Sequence, residues 1–328
     1  MPSWIYEAGI GENRAILIEN GALVEATIEL PAGLKVGAVV EGRLASIVIP
    51  GRRGIVRLSS GEEALLEPLP AELTEGQALA VEVVRESIPE AGRAKLAKVR
   101  ASDLSLRRGP SLRERLAASG IAVSDARPVR EDQFEQAGWS ELLEQAATGE
   151  IAFEGGGLRI SLTPAMTLFD VDGFLPPAAL AVEGARAAGQ AIRRLGVTGS
   201  IGIDLPTLPS RADRQAAAAA LDAVLPQPFE RTAVNGFGFV QIIRKRERAS
   251  LPELLQGDPI AAAARALLRR AERTGGSGER TITAAPVVLQ ATREDWRQEL
   301  ERRTGAPVVL RPDSSLAISA GHVQAAHN

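Results

Sequence analysis

The chain has 328 residues, of which 45% are hydrophobic and 24% charged, with a formal net charge of −3. That length suits two or three domains with a sizeable core, and the absence of a long apolar run or a charged-then-apolar leader points to a cytoplasmic protein with no membrane partner. There is no cysteine, and the only histidines are His322 and His327, near the end of the sequence. Disulfides, thiolate zinc sites and cysteine nucleophiles are thereby excluded, and a Ser–His–Asp triad is disfavoured. Any acid–base or metal chemistry has to rest on carboxylates, arginine, lysine or the lone Tyr6.

Residues 14–30 read as a hairpin, with two alternating apolar segments flanking Asn20-Gly21, the strongest short hairpin signal. Short β-rich segments follow at 39–49, 53–58, 63–66 and 78–85, separated by turns at Pro50-Gly51, Ser60-Gly61 and Glu75-Gly76. Their spacing predicts a small barrel of the size of an OB fold. OB folds commonly hold single strands on aromatic side chains, yet no Phe, Tyr or Trp occurs between Tyr6 and Phe134. Arg93, Lys95, Lys98 and Arg100 alternate with apolar residues and read as a basic edge strand. Residues 111–118 and 133–147 read as short helices, with Phe134, Trp139, Leu142 and Leu143 as core anchors.

The informative stretch runs from 155 to 246. Gly155-Gly156-Gly157 reads as a hairpin turn, since no helix follows that could make it a phosphate loop. Residues 166–173 form an expected strand carrying Asp170 and Asp172, and 200–204 a second ending at Asp204. Between them, 176–195 reads as a helix that starts on two prolines. A strand–helix–strand unit predicts parallel neighbours whose carboxyl ends share one sheet edge. Carboxylates converging there repel one another without a cation, and hard oxygen donors suit Mg²⁺. The alternative is that each Asp is a turn residue or a helix N-cap.

Residues 210–225 read as a helix capped by Ser210, and 229–233 and 239–244 as strands. The second strand runs into Arg244-Lys245-Arg246, a basic cluster which, if close to an acidic metal site, suits a polyphosphate backbone. Residues 258–274 form an amphipathic helix before a Gly/Ser linker. The remainder reads as strand 281–290, helix 293–303, strands 308–311 and 316–319, and a disordered end.

In ordered blocks the central stretch resembles the ribonuclease E/G family of bacterial endoribonucleases. Asp170-Val-Asp172 resembles that family's Asp-x-Asn, and Val182-Glu183-Gly-Ala with Ile192-Arg-Arg194 its following helix. Gly199-Ser-Ile-Gly-Ile-Asp204-Leu and Gly238-Phe-Val-Gln-Ile-Ile-Arg244-Lys-Arg246 resemble two later blocks. The resemblance implies Mg²⁺-dependent (or Mn²⁺-dependent) cleavage of single-stranded RNA, with Asp170 and Asp204 as catalytic metal-binding residues and Asp172 beside them. Arg93, Arg244, Lys245 and Arg246 are the expected RNA contacts, and DNA is not an expected partner. The departures are Asp172 for Asn, Gln241 for Glu, a Gly173-Phe-Leu-Pro-Pro177 loop without small polar residues, no zinc-linking Cys-x-x-Cys and no Arg-Thr 5′-monophosphate sensor. They imply a reduced member without zinc, with little 5′-end preference, and any homo-oligomer made without a zinc link. The alternative is a non-catalytic RNA-binding or ribosome-associated relative.

The expected fold class is multidomain α+β or α/β. An N-terminal hairpin (1–35) leads to an OB-like RNA-binding barrel (36–100) and a connecting helical region (101–150). A mixed α/β metal-site domain (151–256) and a C-terminal helix with a small α+β domain (257–328) complete the chain.

Overall fold

The computed structural model of the chain describes residues 1–90, 92, 94–126, 132–276 and 278–326. The first strands are β1 (Ser3–Ala8), β2 (Asn13–Glu19) and β3 (Ala22–Glu29). Asn20 and Gly21 join β2 to β3 at φ 52° and 79°, the left-handed pair that a tight hairpin turn demands and that Asn-Gly supplies at little cost.

Five strands then close into a barrel in the order β4-β5-β6-β8-β7: β4 (Val39–Ile49), β5 (Arg53–Leu58), β6 (Glu63–Leu66), β7 (Ala78–Arg85) and β8 (Ala97–Ala101). Leu44, Val56, Leu66, Val81 and Val99 fill its interior. The basic strand expected at an edge is a correction. β8 is enclosed, parallel to β6 and antiparallel to β7, because Ala97 and Val99 face the barrel core. Its outward Lys98 and Arg100 pair with Glu67 (2.8 Å) and Glu82 (2.6 Å).

Helix α1 (Leu112–Ala118) starts on a Ser111/Glu114 capping box and leads to β9 (Ala122–Asp125), which adds to β1 in parallel. After α2 (Gln133–Gln136) and α3 (Trp139–Thr148) comes a six-stranded sheet ordered β10-β11-β12-β13-β15-β14. Its strands are β10 (Glu150–Phe153), β11 (Gly156–Leu162), β12 (Thr167–Gly173), β13 (Gly199–Asp204), β14 (Glu230–Arg231) and β15 (Phe239–Arg244). Two helices are interleaved, α4 (Pro177–Arg194) and α5 (Arg211–Asp222). The triple glycine is the β10–β11 hairpin, as its composition predicts.

The sheet buries one face. Phe169, Ile203 and Val240 align across β12, β13 and β15, as do Thr167, Ile201 and Ile242. Helix α4 covers that face and packs on β3 at its other side. It comes close because position 184 is glycine: a Cβ there would lie 2.3 Å from Val171 Cγ1.

The chain ends with α6 (Leu251–Gly257), α7 (Pro259–Arg273), β16 (Arg280–Ala284), α8 (Pro286–Gln290), α9 (Glu294–Thr304), β17 (Val308–Pro312) and β18 (His322–Ala325). Three expectations are corrected here. The strand of 281–290 stops at Ala284, because Pro286 opens a short helix. Residues 318–320 form a 3₁₀ turn rather than a strand. The segment taken as a disordered end carries β18, paired antiparallel with β16.

Helix α7 docks on the N-terminal strands through buried charge. Glu12, 2% exposed, accepts from Arg265 Nε at 3.0 Å and from Arg269 Nη1. Nearby, the buried Arg14 guanidinium lies 4.0 Å from the Phe134 ring centre and 4.8 Å from that of Trp139. Its Nε donates to Glu7, which also accepts from Arg273. Burial lowers the Arg14 pKa to about 10, against the opposing pull of Glu7.

Removing one partner of such a buried set strands the others without a counter-charge. Glu12→Ala is expected to cost about 3–5 kcal/mol in equilibrium denaturation. Arg302→Ala, on the exposed side of α9, is expected to change stability by no more than about 0.5 kcal/mol.

Candidate active site

The second face of the six-stranded sheet is uncovered. Along β12 the residues alternate, with Phe169 and Val171 inward and Asp170 and Asp172 outward and exposed. β13 lies parallel to β12 with Asp204 directly opposite Asp170. Opposed residues on neighbouring strands share a face, with backbones about 5 Å apart. Asp170 and Asp204 therefore stand side by side at the carboxyl ends of the only parallel pair that the described residues form in this sheet. Asp172 lies two residues further on, about 7 Å along the strand, and its Oδ1 accepts the N–H of Gly173 at 2.8 Å.

Neither aspartate is spent on a helix. α4 starts from Pro176, which offers no side-chain cap, and α5 is capped by Ser210, whose Oγ accepts from Asp213 N. Among the described residues, neither Asp170 nor Asp204 has a side-chain hydrogen bond or an ion pair. Exposed Arg159 on β11 stands opposite Asp170 on the same face, and among the described residues it forms no ion pair either. Also among the described residues, no three Asp, Glu, His or Cys side chains gather as a metal cage. The donor set is thus the Asp170–Asp204 pair, with Asp172 as a neighbour. Two carboxylates with open space above them fit Mg²⁺, which keeps several waters and takes one or two protein carboxylates.

The basic cluster lies elsewhere. β15 is antiparallel to β13: Phe239 opposes Asp204, while Arg244 opposes Gly199. Arg244 to Arg246 therefore sit at the far end of the strand, about 17 Å from Asp204. The condition attached to a polyphosphate role, closeness to the acidic pair, is not met, because β15 begins rather than ends beside Asp204. Their side chains are also occupied. Arg244 Nη1 donates to the Val197 carbonyl at 3.0 Å, and burial lowers its pKa. Arg246 pairs with Glu253, the capping-box residue of α6. Lys245 is exposed and pairs with Glu247 at 2.5 Å. Arg93 lies outside the described residues.

Half-buried Phe239 opposes Asp204 on this face, and two exposed phenylalanines stand just beyond the strand ends. Phe174 follows β12 directly and Phe237 precedes β15; they are 86% and 81% exposed. The turn holding Phe237 is fixed by Asn235, whose Oδ1 accepts the N–H groups of Phe237 and Phe239 at 3.0 Å each. The polar Asn235-Gly236 start of this turn was legible in the sequence; the exposure of the ring was not, because an isolated Phe reads as core.

Gly238 closes the turn at φ 94°, and a Cβ there would lie 2.2 Å from the Leu205 carbonyl oxygen. Gly236 has open space around it. Gly238→Ala is expected to destabilise by about 1–3 kcal/mol, and Gly236→Ala by well under that, both read by thermal melting.

No protein-family model matches the chain, and no curated protein matches it.

Proposed function

We propose that the chain is a cytoplasmic, Mg²⁺-dependent endoribonuclease of the ribonuclease E/G type that cleaves single-stranded RNA. The observation that carries the reading is the in-register placement of Asp170 and Asp204 on one uncovered face, both unengaged. Asp170 and Asp204 would hold the ion; once bound, Mg²⁺ or Mn²⁺ supplies charge neutralisation at a phosphate and an activated water. Phosphoryl transfer depends mainly on positioning and electrostatics, so two carboxylates on rigid strands suffice as the protein's share. Arg159, opposite Asp170, is placed to contact a phosphate oxygen. Asp172 adds negative charge beside the pair and is engaged by its own backbone neighbour.

The five-stranded barrel would act as an OB-like platform for the RNA backbone. Residues 36–101 contain no aromatic, so it would bind through exposed arginines such as Arg57 and Arg100, which would exchange their pairing with Glu63 and Glu82 for phosphate. Affinity from such contacts is salt-dependent.

The test is cleavage of end-labelled single-stranded RNA by purified protein with Mg²⁺ or with chelator. Mg²⁺ is expected to raise the melting temperature of the wild type by preferential binding to the folded state. Asp170→Asn and Asp204→Asn are each expected to abolish cleavage and that thermal shift while the protein stays folded. Asp172→Asn is expected to retain or increase activity. Cleavage that survives in Asp170→Asn sinks the Asp170–Asp204 pair as the source of the activity. RNA binding without cleavage in the wild type would instead favour a non-catalytic RNA-binding protein.

A further inference from the structure

The chain contains seven Phe, three Trp and one Tyr. Among the described residues, only Phe174 and Phe237 of these are exposed, and both lie at the edge that carries Asp170 and Asp204. An exposed ring on a surface is unremarkable alone. Two rings held on fixed backbone at one edge ask for an occupant. Phe174 is pinned by its N–H donating to Gly155 O at 3.1 Å, and Phe237 by the Asn235 turn. Fixed backbones lower the entropy lost when a ligand settles on the rings.

We propose that Phe174 and Phe237 are stacking platforms for nucleobases of an unpaired strand laid across the Asp170–Asp204 pair. This rests on the nuclease reading and specifies its substrate. In sheet order, Phe174 leaves from β12 and Phe237 enters β15, with β13 and Asp204 between them. The two backbone positions are separated across the sheet by two strand spacings, about 10 Å, and both lie just past the strand ends that carry Asp170 and Asp204, so a strand held by both rings crosses the acidic edge. Bases have to leave a helix to reach the rings, so the site selects unpaired RNA by geometry. A barrel without aromatics cannot supply stacking, and these rings are where the chain can. A protein partner is less well matched, because the rings are divided by exposed carboxylates rather than joined into one apolar patch.

The experiment measures binding of fluorescein-labelled oligouridine by anisotropy in chelator, where no cleavage occurs. An oligonucleotide carrying a fluorescent adenine analogue reports stacking by quenching. Phe174→Ala and Phe237→Ala are each expected to weaken binding roughly tenfold and to reduce the quenching. Phe174→Trp and Phe237→Trp are expected to restore both, and duplex RNA of the same sequence to bind no better to wild type than to the alanine variants. Because both rings are exposed, melting temperatures should stay close to wild type. Alanine variants that bind and quench like wild type overturn the proposal. So does loss of self-association in those variants with RNA binding unchanged, which would make the rings a contact between copies. The two readings fail separately: wild type that binds but never cleaves removes the nuclease assignment, while lost quenching in Phe174→Ala sustains stacking regardless.

Discussion

The parallel, in-register pairing of β12 with β13 is the constraint on which the site depends. Parallel neighbours cannot be joined by a tight turn, so the chain must travel back along the sheet before the second strand begins. The eighteen residues of α4 make that return, and the missing side chain at Gly184 lets the helix lie against Val171. With the helix seated, one face of the sheet is filled by Phe169, Ile203 and Val240, and the alternate residues have nowhere to go but outward. Two carboxylates are thereby held side by side without a compensating base. The energy that enforces this comes from apolar burial on the opposite face, not from the aspartates.

Strand direction decides what surrounds them. Had β15 run parallel to β13, its arginines would crowd the carboxylates and neutralise them. Running antiparallel, it brings the Asn235 turn and Phe237 to the acidic end and carries Arg244 to Arg246 away, where they tie the sheet to Val197 and to α6. The acidic edge is left open to solvent, with Arg159 as the nearest cation placed by register.

Much of this was legible in the sequence. Asn20-Gly21 announced the hairpin, regular turn spacing announced the barrel strands, and an Asp closing each of two apolar segments around a helix announced Asp170 and Asp204. What failed was non-local. β9 is four residues, mostly exposed, and exists because β1 pairs with it across more than a hundred residues. β18 was lost in a polar tail because only β16 gives it a reason to extend. Arg14 looks like a solvent-facing residue of an alternating strand, yet it is buried between Phe134 and Trp139, which no local pattern encodes. The orientation of β15 is likewise a property of the sheet and not of its own residues.

The shared carboxylate of Glu12 has a temporal side. Its two arginine partners lie 253 and 257 residues later in the chain, so at ordinary synthesis rates the acid waits about 10–50 s for them. During that interval the β1–β2 turn has neither counter-charge nor cover, because the apolar cluster that encloses its neighbour Ile10 is built from residues 264–308, and Glu12 stays in water. The β1–β2 turn is therefore sealed only once α7 has been made. The ion cluster in this way couples commitment of the earliest segment to completion of one of the last.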